Sequence, residues 1–266
     1  MAPNARITVR VQAVGGKFLA DDIGGAILAV RDAQTGELLT HGTTSGTSGD
    51  LGLSYTPNAS LAVVVTPATS STSQVIRWLS AVNTGDRATN TSSFTVNLEL
   101  DRPRLLEIEA FGPRGGLQSA HRVMATEWLA PGQDQTAAPG LVLMMPGLLV
   151  QVQSPATHTD VTSPTNRTLD LVANVAMMCG CPISDAPGNP WLPSDFDVSV
   201  AIRPFGSTAP PTPVTLNFDT KAGIPGRFTG QFPVPKGAST VFYEAVFTAI
   251  QKSTRNVGSA TVTFFG

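Results

Sequence analysis

Apolar and polar residues alternate along many short stretches of this chain, and this period of two restricts the fold more than any other sequence feature. Near the start, Ile7, Val9 and Val11 alternate with polar neighbours, which predicts a strand with one buried side. Comparable strands are predicted at residues 94–100 and 169–177. The apolar spacing of an amphipathic helix, at i, i+3, i+4 and i+7, is scarce. The pattern therefore predicts an all-β protein.

The composition agrees with short strands joined by tight turns. The 266 residues include 25 glycines and 21 prolines, and 14% are charged, against about 25% in an average globular protein. Glycine and proline favour turns, whereas valine and threonine favour strands. A chain of this length is expected to form two domains.

The charge and hydropathy patterns bear on partners and location. The net charge is −2 and the basic residues are scattered, so no nucleic-acid partner is predicted. The most apolar run, residues 141–152, is about 12 residues long, whereas a membrane-spanning helix needs about 20; no transmembrane segment is predicted. The low charge favours a periplasmic or cell-surface location. No signal peptide is visible, which leaves a cytoplasmic location as the other expectation.

The first quarter of the chain has a recognisable order of elements. The run I-G-G-A-I-L-A-V-R-D at residues 23–32 is followed by a turn and T-G-E-L, then by a small-residue loop at residues 42–50 and an apolar strand at residues 61–67. Over residues 6–66, this order resembles the transthyretin-like and carboxypeptidase-regulatory modules. The resemblance implies a small β-sandwich that serves as an accessory domain.

Two similar hairpins predict two sandwiches in series. Residues 106–123 and residues 243–262 each contain a strand, a glycine-bearing turn and a second strand. This arrangement resembles the last hairpin of bacterial immunoglobulin-like domains. The predicted fold is all-β, with two immunoglobulin-like or transthyretin-like β-sandwich domains in tandem. Their predicted bounds are residues 1–130 and residues 141–266, with a linker at residues 131–140.

Soft metal ligands cluster at one place, the segment M-M-C-G-C-P at residues 177–182. Cys179 and Cys181 are separated by one glycine, and Met178 precedes them. Thiolate and thioether sulfurs select Cu(I) over harder ions. His158 is the only histidine of the predicted second domain and could complete the set. The sequence thus gives a candidate copper site formed by Cys179, Cys181, Met178 and His158.

Three other interpretations of the two cysteines stay open. They fit buried, unreactive thiols that pack as small apolar side chains. They fit a strained, redox-active disulfide across one residue. They also fit packing against a partner protein.

No local motif predicts an enzyme. The chain lacks G-x-S-x-G, H-E-x-x-H, a phosphate-binding glycine loop and C-x-x-C-H, and no catalytic residue is assigned. The carboxylate pairs Asp21–Asp22 and Asp195–Asp197 are interpreted as solvated turn residues. The tryptophans at positions 78, 128 and 191 are too dispersed to predict a carbohydrate-binding groove, so a hydrolase or carbohydrate-active protein ranks last.

The function expected from these observations is a non-enzymatic structural or binding accessory subunit of a larger assembly. Its partners are expected to be other protein subunits in a hetero- or homo-oligomer. The alternative is a copper-handling or thiol-redox protein that uses the Met-Met-Cys-Gly-Cys-Pro loop. A sandwich fold by itself does not decide between them.

Overall fold

A computed structural model describes residues 2–49, 91–137, 140–161, 167–221, 223–235 and 241–266. The predicted strand at residues 61–67 and Trp78 lie outside the described residues. The described part of the chain is nearly all β, with three short 3₁₀ segments, which confirms the predicted all-β class. Its fifteen strands are β1 (Asn4–Ala13), β2 (Ile27–Asp32), β3 (Leu38–Thr43), β4 (Phe94–Glu99), β5 (Arg104–Gly112), β6 (His121–Leu129), β7 (Asp134–Gln135), β8 (Leu141–Met145), β9 (Leu148–Ser154), β10 (Thr168–Met177), β11 (Phe196–Pro204), β12 (Thr212–Phe218), β13 (Arg227–Pro233), β14 (Phe242–Gln251) and β15 (Val257–Phe265).

The chain divides into two compact units. Unit 1 comprises Met1–Pro146 together with Met178–Gly180, and unit 2 comprises Gly147–Met177 together with Cys181–Gly266. The chain therefore passes between the units three times.

Unit 1 contains two sheets. In the first, β1 is antiparallel to β4 and parallel to β7 and β8. The second is antiparallel throughout and has the order β3-β2-β5-β6. Contacts of β6 with β8 and of β3 with β4 join the two sheets into a sandwich-like arrangement.

The core of unit 1 follows the alternation seen in the sequence. Ile7, Val9 and Val11 are buried in β1, and Ile108 in β5 is buried as well. The polar side of β1 differs from the prediction, however. Its residues are also buried, so β1 is covered on both sides; they are Thr8, Arg10 and Gln12.

Unit 2 is a seven-stranded arrangement with the order β15-β14-β11-β12-β13-β10-β9. Strand β12 pairs with two different neighbours along its length. Its first part, through Leu216, pairs with β11, whereas Asn217 and Phe218 pair with β13. This change of partner joins a ladder containing β15, β14 and β11 to a second ladder containing β13, β10 and β9.

The core of unit 2 includes the side of β10 that the sequence predicts to be buried. Leu169, Leu171, Ala173, Val175 and Met177 alternate along that strand and are buried. They are joined in the core by apolar residues of the other ladder, among them Val200, Ile202 and Phe247. The predicted core side of this strand is therefore confirmed.

The division of the chain differs from the predicted bounds. Within the predicted linker, Asp134 and Gln135 form β7, which pairs with β1. The apolar run at residues 141–152 is interrupted by Pro146 and Gly147. Strand β8 before this interruption pairs with β1 of unit 1, whereas β9 after it pairs with β10 of unit 2.

Candidate functional site

The cysteine segment forms a tight turn directly after β10. The N–H of Met177 donates a hydrogen bond to the carbonyl oxygen of Cys181 at 3.0 Å, and Ala176 forms a β-bridge with Pro182. Gly180 has a φ of +78°, which glycine adopts without the steric cost that a Cβ atom brings. The glycine between the two cysteines is thus required by the turn itself.

The two cysteines are buried thiols with no disulfide between them. Cys179 belongs to unit 1 and Cys181 to unit 2. In unit 1, a Cβ atom added to Gly16 would lie 3.1 Å from the Sγ atom of Cys179, so this sulfur lies against the backbone of Gly16. Met178 has no exposed surface. These positions agree with packing roles for Met178 and Cys179.

His158 lies in the connection after β9. Its φ is +67°, and its ring stacks on Phe265 with centroids 5.9 Å apart. Within the described ranges, no group of three or more His, Cys, Asp or Glu side chains is arranged to hold a metal ion, so the structure does not bring His158 and the two cysteines into such a group. Copper binding by Cys179, Cys181, Met178 and His158 stays a prediction.

In each of the two carboxylate pairs, one aspartate accepts hydrogen bonds from residues elsewhere in the chain. Asp21 accepts hydrogen bonds from the backbone N–H of Gly46 at 3.0 Å and from Ser45 Oγ at 3.2 Å, and so fixes part of the small-residue loop. Asp195 accepts from Gln251 Nε2 at 3.0 Å and from the N–H of Ser253 at 3.0 Å. Asp21 is exposed and lies in a short 3₁₀ turn, which confirms its interpretation as a solvated turn residue. Asp195 also lies in a 3₁₀ turn and is partly exposed.

Exposed apolar side chains collect on the side of the β3-β2-β5-β6 sheet that faces away from the core of unit 1. Trp128 is 52% exposed, Met124 is 58% exposed and Ile27 is 42% exposed. Cross-strand pairing places Trp128 opposite Leu105 and places Ile27 opposite Phe111. We call these five residues, together with Arg122 and Thr126 on the same side of the sheet, the outer face.

A cation lies within the outer face. Arg122 pairs with Phe111 across the strands, and its guanidinium carbon lies 5.7 Å from the centroid of the Phe111 ring. The same guanidinium contacts the carboxylate of Glu109 at 3.0 Å. Attraction between the cation and the ring face stabilises this contact, and 64% of the Arg122 side chain stays exposed.

The sequence of β6 contains a signal for this face. Arg122, Met124, Thr126 and Trp128 occupy alternate positions and therefore share one side of β6, and the structure exposes all four. Two of these four, Met124 and Trp128, are large apolar side chains that lie more than half exposed to solvent. Trp191, by contrast, is buried in unit 2.

Compared with protein-family models and with curated protein sequences, the chain matches none. In the part of the chain that the structure describes, no helix has the length and apolar character needed to cross a membrane.

Proposed function

We propose that this protein is a non-enzymatic structural or binding accessory subunit of a larger protein assembly, and that the outer face of unit 1 is a surface through which it binds. The observation that carries the proposal is the exposure of Met124 and Trp128 beside Arg122 on one sheet face. Contiguous exposed apolar side chains mark interaction sites. Trp, Met and Arg are also the residue types that protein interfaces enrich.

The energetics favour a partner for this face. Full burial of a Met side chain contributes about 1.5–3 kcal/mol relative to full exposure, and Met124 is 58% exposed. Trp128 carries a larger apolar surface and is about half exposed. A partner that covers both side chains would remove this apolar surface from water. The loss of backbone conformational entropy would be small, because the strands that hold the two side chains are already paired.

The strand order of unit 1 supports a transthyretin-like assignment for that unit. Such an assignment implies a small β-sandwich, in which two sheets pack face to face. Here β1 is antiparallel to β4 and parallel to β8, and the second sheet has the order β3-β2-β5-β6. We propose this fold for unit 1, in line with the accessory modules that residues 6–66 resemble.

The strand order of unit 2 supports an immunoglobulin-like assignment. A constant-type immunoglobulin sandwich places its first, second, fourth and fifth strands in one sheet and its third, sixth and seventh in the other. The fourth strand of unit 2, β12, pairs with β11 over most of its length and with β13 only at its end. In unit 2, β9, β10 and β13 form one ladder, whereas β11, β14 and β15 form the other. We propose two sandwiches in tandem on this basis.

Native mass spectrometry of the protein isolated from its host under gentle conditions tests the proposed function. We expect a complex containing at least one further protein chain, and we expect Trp128→Asp to reduce its abundance at least tenfold. Phe205→Asp is the matched control, because Phe205 is an aromatic residue of unit 2 that is 66% exposed. A strict monomer, with no partner after chemical cross-linking in cells, would contradict the proposal.

A further inference from the structure

A cleft opens in unit 2 at the place where β12 changes partner, and we propose that this cleft binds a neutral sugar. Val198 of β11 pairs with Leu216 of β12, whereas the next two residues of β12, Asn217 and Phe218, pair with β13. Because β12 turns away here, the start of β11 pairs only with β14 among the strands that the structure describes. The cleft lies between the two parting strands. This inference goes beyond the proposed function, because it concerns unit 2 and a small ligand.

The inner part of the cleft is apolar and aromatic. Its volume is about 450 Å³, and small-molecule sites have volumes of about 300–1,000 Å³. Buried side chains from three strands line it; they are Phe196, Val198, Leu216 and Phe228. The half-buried Phe218 packs edge to face with Phe228, with ring centroids 5.5 Å apart. The face of an aromatic ring carries partial negative charge, so it attracts the C–H groups on one side of a sugar ring.

The rim of the cleft is polar and exposed. Its polar residues are Ser194, Asp197, Ser199, Thr215 and Asn217. Ser199 lies directly opposite Thr215 across the β11–β12 pair, which makes the two side chains neighbours on one face of the sheet. Within the described ranges, the four neutral side chains form no hydrogen bond with the protein, so their donors and acceptors are available to a ligand. Such a rim above an apolar floor matches a ring that carries hydroxyl groups along its edge.

The charge of the cleft selects a neutral ligand. Among the described residues that line it, Asp197 is the only charged one, and its carboxylate lies 3.6 Å from Nζ of Lys252. The carboxylate would repel an anion, and a cation would compete with Lys252. A wholly apolar ligand would cover Asp197 and Asn217 without replacing their hydrogen bonds to water, which costs free energy. A sugar avoids these penalties, because its hydroxyl groups donate to the carboxylate and pair with the amide.

Two-dimensional amide NMR of the full chain tests the site. The probes are glucose, galactose, mannose, N-acetylglucosamine, maltohexaose and cellohexaose, each titrated to millimolar concentration. We expect at least one of them to shift the amide signals of Ser199, Thr215 and Asn217. The amino and phosphate derivatives of the sugar that binds are the matched cationic and anionic probes. Both derivatives should bind at least threefold more weakly than the neutral sugar.

Two rim variants test the contacts. Asn217→Ala and Asp197→Ala should each raise the dissociation constant of the sugar at least tenfold. Thr261→Ala is the control, because Thr261 is an exposed polar residue of β15 that does not line the cleft; it should bind like wild type. Circular dichroism confirms that each variant is folded.

Three results would each overturn the proposal. They are the absence of shifts with every probe, rim variants that bind as tightly as wild type, and an amino derivative that binds more tightly than the neutral sugar. The outer face belongs to unit 1, so any of these results leaves the proposed accessory function standing.

Discussion

At the scale of single residues, Gly180 shows how strongly one position can be determined by its surroundings. Its φ is +78°, and a Cβ atom added there would lie 2.4 Å from Cγ2 of Ile23, which is also in unit 1. Two separate penalties thus act on any side chain: the cost of the left-handed backbone and a collision with the half-buried side chain of Ile23. The glycine of the Cys-Gly-Cys motif therefore has a structural explanation that requires no metal.

We expect Gly180→Ala to lower the free energy of unfolding by about 2–4 kcal/mol. About 1–2 kcal/mol comes from the left-handed conformation, and the rest comes from overpacking against Ile23. Urea denaturation measures the change. Gly188→Ala is the control: Gly188 has a φ of +84° but nothing within 4 Å of the added Cβ, so only the backbone cost should remain. Equal losses in the two variants would contradict the packing argument.

The two thiols give a second prediction at this scale. Cys179 is 1% exposed and Cys181 is 9% exposed, so we expect both to react with a thiol reagent at least a hundredfold more slowly in the native protein than in denaturant. The measurement is a thiol count with time, together with metal analysis of the same sample. About one copper per chain, lost in Cys179→Ser and Cys181→Ser, would instead support the copper-handling alternative.

At the scale of elements, the turn between β2 and β3 is held by a buried carboxylate. Asp32 accepts hydrogen bonds from the N–H groups of Gln34 and Thr35 at 2.9 and 3.0 Å, and it contacts Arg104 of β5 at 3.0 Å. Burial alone would raise the pKa of Asp32. The hydrogen bonds and the Arg104 charge outweigh it, and the pKa lies below its ordinary value.

A lowered pKa in the folded state predicts the direction of the pH dependence. The stabilisation from ionised Asp32 is fully present above the ordinary pKa of about 3.9 and is lost as the pH falls through the lower folded value. We expect Asp32→Asn to be less stable than wild type at pH 7 and to approach it in acid. Urea unfolding at several pH values measures this. The control Glu37→Gln should change little, because Glu37 is 63% exposed and lies 3.5 Å from Arg104.

Local alternation predicted the strands better than it predicted their surroundings. The side of β10 that carries Leu171 and Val175 is buried as expected, because side-chain alternation follows from strand geometry alone. The prediction that only the apolar side of β1 is buried is wrong, because its polar side is buried as well. There Gln12 donates from Nε2 to the carbonyl of Gly16 at 3.1 Å, and burial lowers the pKa of Arg10. What covers a second face depends on distant parts of the chain, which a local pattern does not contain.

The same limit applied to the candidate site. The clustering of Cys179 and Cys181 in the sequence predicts a shared metal site, whereas the structure places the two cysteines in different units. Alternation in the sequence places Met124 and Trp128 on one side of β6, but it does not say whether that side faces solvent. That depends on strand pairing and on the elements that cover the sheet, which are non-local and are not contained in the residues of β6.

At the scale of the whole molecule, the division of the chain at Pro146 and Gly147 has a measurable consequence. Strands β8 and β9 are separated by only these two residues, yet β8 pairs with β1 and β9 pairs with β10. Leu143 of β8 and Val150 of β9 are both 3% exposed. Each therefore stabilises a different unit, although the two lie seven residues apart in sequence.

Hydrogen exchange measured by mass spectrometry can separate these contributions in the intact protein. We expect Leu143→Ala to cost about 2–4 kcal/mol and to accelerate amide exchange in β1 and β8, because the loss of a core side chain promotes opening of the unit that contains it. Val150→Ala is the matched variant and should accelerate exchange in β9 and β10. If Leu143→Ala accelerated exchange in β10 as much as in β1, the division into two units at Pro146 would not describe how the protein opens.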